Sequence, residues 1–288
     1  MFFCYNTTMI NWFPGHMNKT LKQMQQDGKI CDCFIYILDA RCPLSCINPE
    51  FVRVIGNKPI IFVLNKSDLV EKKDIENFIQ YFSSQGQTCV SLNATTFASG
   101  KIIINAIKTV FKDRLEKNKE KNVKFIIRAM ILGIPNSGKS TIVNNLCGKA
   151  RAVTGNRAGV TRNKQWVKLD SNIEVMDTPG VLLPNFDNEE NAYNLAITGA
   201  IKDEILYQPD VAIQLIKKLN SLNKINIINT KYGVDIDINT QEIEILKFIG
   251  KKRGCIIKGG EIDVDRSAKM LITDFRSGKL GKICLESI

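Results

Sequence analysis

The stretch Gly133-Ile-Pro-Asn-Ser-Gly138-Lys139-Ser140 constrains this chain more than any other, because few folds can carry it. It matches Gly-x-x-x-x-Gly-Lys-Ser in full, follows the apolar run "KFIIRAMIL" and opens a segment with helical spacing, the strand–loop–helix setting that the motif requires. Glycines let the backbone turn so that its N–H groups face inward on phosphate oxygens. The helix that follows presents its positive end to the same anion. Asn136, Ser137, Gly138, Lys139, Ser140 and Thr141 are therefore expected to hold nucleotide phosphates, Lys139 with a full charge and Ser140 with a hydroxyl for Mg²⁺.

About forty residues on, Asp177-Thr178-Pro179-Gly180 ends another apolar run. An aspartate there suits the water shell of Mg²⁺, and the Gly180 amide suits the last phosphate. Between the two loops lies "NRAGVTRNKQW", in which Thr161 is placed to close over the metal as a switch residue. Residues 149–169 hold six Lys or Arg and no acid; such a segment either touches RNA phosphate or is a solvated basic face.

Upstream, "IIFVLNKSDLV" carries Asn65-Lys66-Ser67-Asp68. Asp68 can accept from both the N1–H and the exocyclic amine of guanine, which adenine lacks, so an adenine would leave the carboxylate unpaired. Asn65 can meet the other edge of the purine, and the Lys66 stem can lie on its face. A downstream Ser91-Leu92-Asn93-Ala94 completes the set, with Asn93 and Ala94 expected at the base. In an ordinary GTPase the phosphate loop precedes the base loop; here the base loop leads by about seventy residues. If both are genuine, the chain is a circular permutation, which folded domains tolerate because their ends lie close together.

The remaining pattern supports this. Apolar runs at 33–40, 59–68, 88–94, 124–140 and 172–180 alternate with helical spacing at 43–55, 73–84, 100–117 and 139–148, which predicts a doubly wound, mostly parallel α/β sheet. Ligands of such sheets sit at the carboxyl ends of the strands, where each unusual loop falls, Asp39-Ala40-Arg41 included. After about residue 185 the pattern becomes amphipathic and helical, so the expected division is 1–185 for the nucleotide domain and 186–288 for a smaller helical one. The net charge of +11 favours a polyanionic partner such as RNA. Nine cysteines without paired metal-site spacing read as free thiols in a reducing compartment. The apolar start is too short to span a bilayer, so a soluble cytoplasmic protein without a membrane partner is expected.

With the permuted order, the segments "NWFPGHMNKT" (11–20), "DARCPLSCINPE" (39–50) and "DFRSGKLGKI" (274–283) make the chain resemble the ribosome biogenesis GTPase A (YlqF) family of circularly permuted GTPases, from about residue 10 to the end. The resemblance implies a GTP-hydrolysing assembly factor that binds a late precursor of the large ribosomal subunit and leaves after hydrolysis. It implies rRNA contact by the basic segments after Lys247 and a monomer off the ribosome. An organellar ribosome stays open as the setting. Val181 stands where small GTPases carry a water-orienting glutamine. The resemblance implies that His16, the lone histidine, swings to the γ-phosphate in its place, and that Asn136 helps to hold K⁺. Two other readings remain at this point: a kinase or ATPase using the same glycine loop, against which the NKSD loop argues, and a GTP-gated RNA scaffold whose hydrolysis is incidental.

Overall fold

The computed structural model describes residues 16–96, 98–146, 166–182 and 188–288, with the side chains of 16–18 excluded. Six strands are present among them: β1 (Cys33–Asp39), β2 (Ile60–Asn65), β3 (Thr88–Ser91), β4 (Ile127–Leu132), β5 (Trp166–Asp170) and β6 (Ile173–Met176). They form one sheet in the order β3-β2-β1-β4-β6-β5. All neighbouring pairs are parallel except β5 against β6. The five parallel strands therefore end at one edge, and the permuted order of the chain leaves that edge intact.

The central strands are apolar on both faces because both are covered. Along β1, Phe34, Tyr36 and Leu38 join one buried cluster, while Cys33, Ile35 and Ile37 join the other. Helices α1 (His16–Gly28), α2 (Glu50–Ile55) and α3 (Lys72–Ser84) cover the first face; α4 (Ser99–Val110) and α6 (Lys139–Leu146) cover the second, through Ile103, Ile107, Ile142 and Val143. Between the latter two, α5 (Lys112–Glu120) is largely exposed. The helical region consists of α7 (Glu189–Thr198), α8 (Gln208–Ser221), α9 (Asn226–Tyr232), α10 (Glu242–Arg253) and α11 (Val264–Arg276). Its core, including Leu195, Leu215, Leu246 and Leu271, is continuous with the first face of the sheet.

Several local expectations change. The helical spacing at 43–55 yields a helix only from Glu50, because Pro43 and Pro49 cannot donate within a helix. The chain there is pinned by Tyr36, whose hydroxyl donates to the Cys46 carbonyl at 3.1 Å and accepts from Asn48 N at 2.6 Å. The run at 100–117 breaks at Phe111, which turns into the core and leaves α5 polar. The short edge strand β5, only half-buried, gives too weak an alternation to read from sequence.

The end of the chain returns to the strand-end edge. Ile283 N donates to the Leu69 carbonyl at 2.9 Å, and Leu285 N to the Arg41 carbonyl at 2.7 Å. The Glu286 carboxylate accepts from Leu44 N and Ser45 N at 2.7 and 2.9 Å. The helical region is thereby laced onto the loops that follow β1 and β2.

Candidate active site

Asn65 is the last residue of β2, sits beside Asp39 in the sheet register and is 2% exposed. Its Nδ2 donates to the Ser137 carbonyl at 2.7 Å, and its Oδ1 accepts from Ala94 N at 2.9 Å. One amide thus joins the base loop, the loop after β3 and the glycine loop. Gly138, at φ 98°, allows this: a Cβ at that position would overlap the Asn65 amide nitrogen. Gly133, at φ 151°, lies against the Ile37 carbonyl, 2.6 Å from where its Cβ would stand, which tucks the loop onto β1.

Between these loops opens a cleft of about 730 Å³. At its base end stand Asn65, Lys66, Asp68, Leu69, Asn93, Ala94 and Thr95. Asn136, Gly138, Lys139, Ser140 and Thr141 line the phosphate end. Asp68 is exposed to it. Asn93 Oδ1 accepts from Thr95 N at 2.9 Å, which folds the turn after β3. The Ala94 N–H is engaged by Asn65, so this residue closes the loop as well as lining the cleft.

At the phosphate end, Lys139 is 6% exposed and its Nζ donates to the Ile134 carbonyl at 2.6 Å. Burial pushes its pKa down to about 8, against the opposing pull of Asp177. Burial likewise raises the Asp177 carboxyl, with Lys139 and the Thr178 amide acting in the other direction. Asp177 Oδ1 is buried without a hydrogen-bond partner among the described residues, a costly arrangement unless a cation or its water completes it. Ser140, in the first turn of α6, lines the same end of the cleft and has a hydroxyl that could join a cation there. Gly180 presses on the loop, 2.7 Å from Pro135 N and 2.8 Å from Lys139 Nζ at the position a Cβ would take. Val181 is fully buried, with its carbonyl accepting from Asn48 Nδ2 at 3.4 Å, so its side chain belongs to the core and not to water.

Asn136 adopts φ 57°, and its Nδ2 donates to the Gly199 carbonyl at 2.7 Å, at the C-terminal turn of α7. The phosphate loop thereby touches the helical region directly. Thr161 lies outside the described residues, and so does the side chain of His16, whose backbone opens α1.

Two residues at the strand-end edge carry more than their sequence motif indicates. Asp39 and Arg41 form an ion pair at 2.7 Å, with side chains 3% and 2% exposed. Lys66 Nζ joins it at 2.7 Å from Asp39 Oδ2. The clue was their position at a strand's carboxyl end. The basic stretch 274–283, among those after Lys247, also changes meaning. Arg276 is turned inward, its guanidinium donating to the Ala196 and Ile197 carbonyls at 2.8 and 2.9 Å and to Asp203 at 2.8 and 2.9 Å. It clamps α7 and is not a free cation for RNA.

This sheet order, with its base and phosphate loops around one cleft, defines a circularly permuted P-loop GTPase. A family model described as "50S ribosome-binding GTPase" matches residues 128–251. The chain is similar to the ribosome biogenesis GTPase A of Bacillus cereus, 39% identical over 280 residues that cover 97% of this chain and 94% of that protein. It is also similar to mitochondrial ribosome-associated GTPase 1 of Bos taurus, 30% identical over 96% of this chain and 88% of that one. The crystal structure of GNP-bound YlqF from T. maritima shares the fold, with a TM-score of 0.64 at 23% identity over 93% of this chain and 97% of that one. The chain belongs to the ribosome biogenesis GTPase A family. No described helix is long and apolar enough to cross a membrane.

Asn65→Ala removes both bonds of the joining amide. It should lower the unfolding free energy by about 1–3 kcal/mol and weaken GDP binding by roughly tenfold or more. Chemical denaturation and titration with fluorescent GDP would measure the two; unchanged GDP affinity would mean that the loops do not depend on each other.

Proposed function

We propose that the protein is a Mg²⁺-dependent GTPase that assembles the large ribosomal subunit, binding a late precursor particle through rRNA and leaving after hydrolysis. The observation that supports this best is the Asn65 amide, which joins the base loop to the phosphate loop around a single cleft. The family names its bacterial members for ribosome biogenesis, and the charge of +11 suits a polyanionic particle.

In this reading Asp68 selects guanine, Asn65 and Lys66 frame it, and Asn93 and Ala94 close the far side. The amides of 136–141 and Lys139 take the phosphates, and Gly180 meets the last of them. Ser140, Thr161 and Asp177 would hold Mg²⁺, which neutralises charge on the transferred phosphoryl group when bound. Lys139, depressed to about 8 by burial, gains an anionic partner on phosphate binding, which restores its full charge. With Val181 in the core, the group that orients water must come from elsewhere, and His16 is the candidate. Asn136, its nitrogen engaged on Gly199, has its oxygen to offer K⁺ near the phosphates. The basic end of α10, with Lys251, Lys252 and Arg253 exposed, is the best-placed rRNA contact.

Sedimentation of the protein with ribosomal particles in GTP, GDP or a non-hydrolysable analogue tests the assignment. Co-migration with large-subunit precursors in the analogue and release in GDP is expected; equal behaviour in all three would refute it. His16→Ala should lower ribosome-stimulated turnover on the order of 10²-fold with GTP affinity nearly unchanged. Equal loss of turnover and binding would remove His16 from the chemistry. Replacing Na⁺ with K⁺ should raise turnover, and a rate indifferent to the cation would remove Asn136 from an ion site.

A further inference from the structure

The Asp39 carboxylate is buried at the end of β1 and takes part in none of the steps above. Its Oδ1 accepts from Arg41 N at 3.1 Å and Arg41 Nε at 2.9 Å. Its Oδ2 accepts from Arg41 Nη2 and Lys66 Nζ, both at 2.7 Å. Burial works to raise its pKa, but the charges of Lys66 and Arg41 outweigh it and hold the carboxyl well below the usual range. A structural pair would need one cation. Here a second is drawn in, and it is the lysine of the base loop, at φ 60° in the left-handed region that a lysine rarely adopts.

We propose that Asp39 is a positioning residue for the guanine site, anchoring the Lys66 ammonium so that the lysine stem stands ready as a wall for the purine. A free lysine has many rotamers and would lose that freedom each time a base docked. Tethered at its tip, the stem is ordered beforehand, and Lys66 lines the cleft with Asp68 and Asn93.

The anchor is itself held from the helical region. Arg41 Nη2 donates to the Thr198 carbonyl at 3.3 Å and Nη1 to the Arg276 carbonyl at 3.4 Å, and its guanidinium lies 5.3 Å from the Phe275 ring centroid. On the other flank of the base loop, Ile283 N holds the Leu69 carbonyl. The purine wall is thus set by α7, α11 and the C-terminal segment together with the sheet.

This inference rests on the cleft's binding a guanine nucleotide, and the test separates the two. GDP and IDP are titrated against the full-length wild type, Lys66→Met, Asp39→Asn and the double variant, with thermal melting recorded for each. Lys66→Met keeps an apolar stem and leaves the Asp39–Arg41 pair whole, so it folds. Each single change should weaken GDP and IDP by the same factor, up to roughly tenfold, leaving their ratio, set by Asp68, unchanged. The double variant should bind no worse than Asp39→Asn alone. Losses that multiply in the double variant, or GDP affinity unaltered in Lys66→Met, would overturn the anchor. A wild type that binds neither nucleotide would instead overturn the guanine site.

Discussion

The Asn65 side chain, wedged between two loops, is the contact on which the site depends. A primary amide offers donors on one atom and an acceptor on the other, and here both are used, on the Ser137 carbonyl and the Ala94 amide. Each partner is a backbone group, so the bond fixes loop paths and not merely side chains. It requires Gly138 beside it, since a side chain there would occupy the amide's place. The motif glycine therefore serves two ends, letting the backbone turn at φ 98° and admitting the residue that brings the base loop to it.

The permutation is intelligible once contacts are considered instead of connections. β1 pairs with β2 on one side and β4 on the other, all parallel, so the ends of the five parallel strands reach the same edge whichever of them the chain begins with. Moving the termini leaves that edge unchanged, but it alters which segments lie next in sequence. Here the helical region follows directly on the loop after β6, and the chain then crosses back over the loops after β1 and β2. The hydrogen bonds at Leu69, Arg41, Leu44 and Ser45 are the consequence.

That arrangement gives the helical region a hold on both ends of the cleft. Asn136 meets Gly199 at the phosphate end. Arg41 meets Thr198 and the Arg276 carbonyl behind the base end. Arg276 in turn grips the last carbonyls of α7 and Asp203. The carbonyls at a helix C-terminus lack a full set of partners within the helix and carry its negative end, so those of Ile197, Thr198 and Gly199 accept from the two arginines and Asn136, and that of Ala196 accepts Arg276 beside the Gly199 amide. A rotation of α7 would be felt at both ends of the nucleotide site.

The chemistry of the loops and the class of the sheet are written in the primary structure. GIPNSGKS, DTPG and NKSD are contiguous, and the spacing of apolar residues before each identifies a strand; local patterns of this kind need no tertiary information. It also marked Val181 as an unsuitable partner for water, which its burial bears out. Other features were decided only when the chain folded. The helical spacing at 43–55 gave way to prolines and to the Tyr36 hydroxyl ten residues away. Arg276, in a basic segment for which the resemblance implies rRNA contact, turns inward onto α7. The joint role of Asp39, Arg41 and Lys66 required three strand-end positions from two segments to meet carbonyls from more than 150 residues later. Long-range pairings of buried charge leave no periodicity in the sequence, because their cause is the shared low-dielectric interior that only the assembled fold creates.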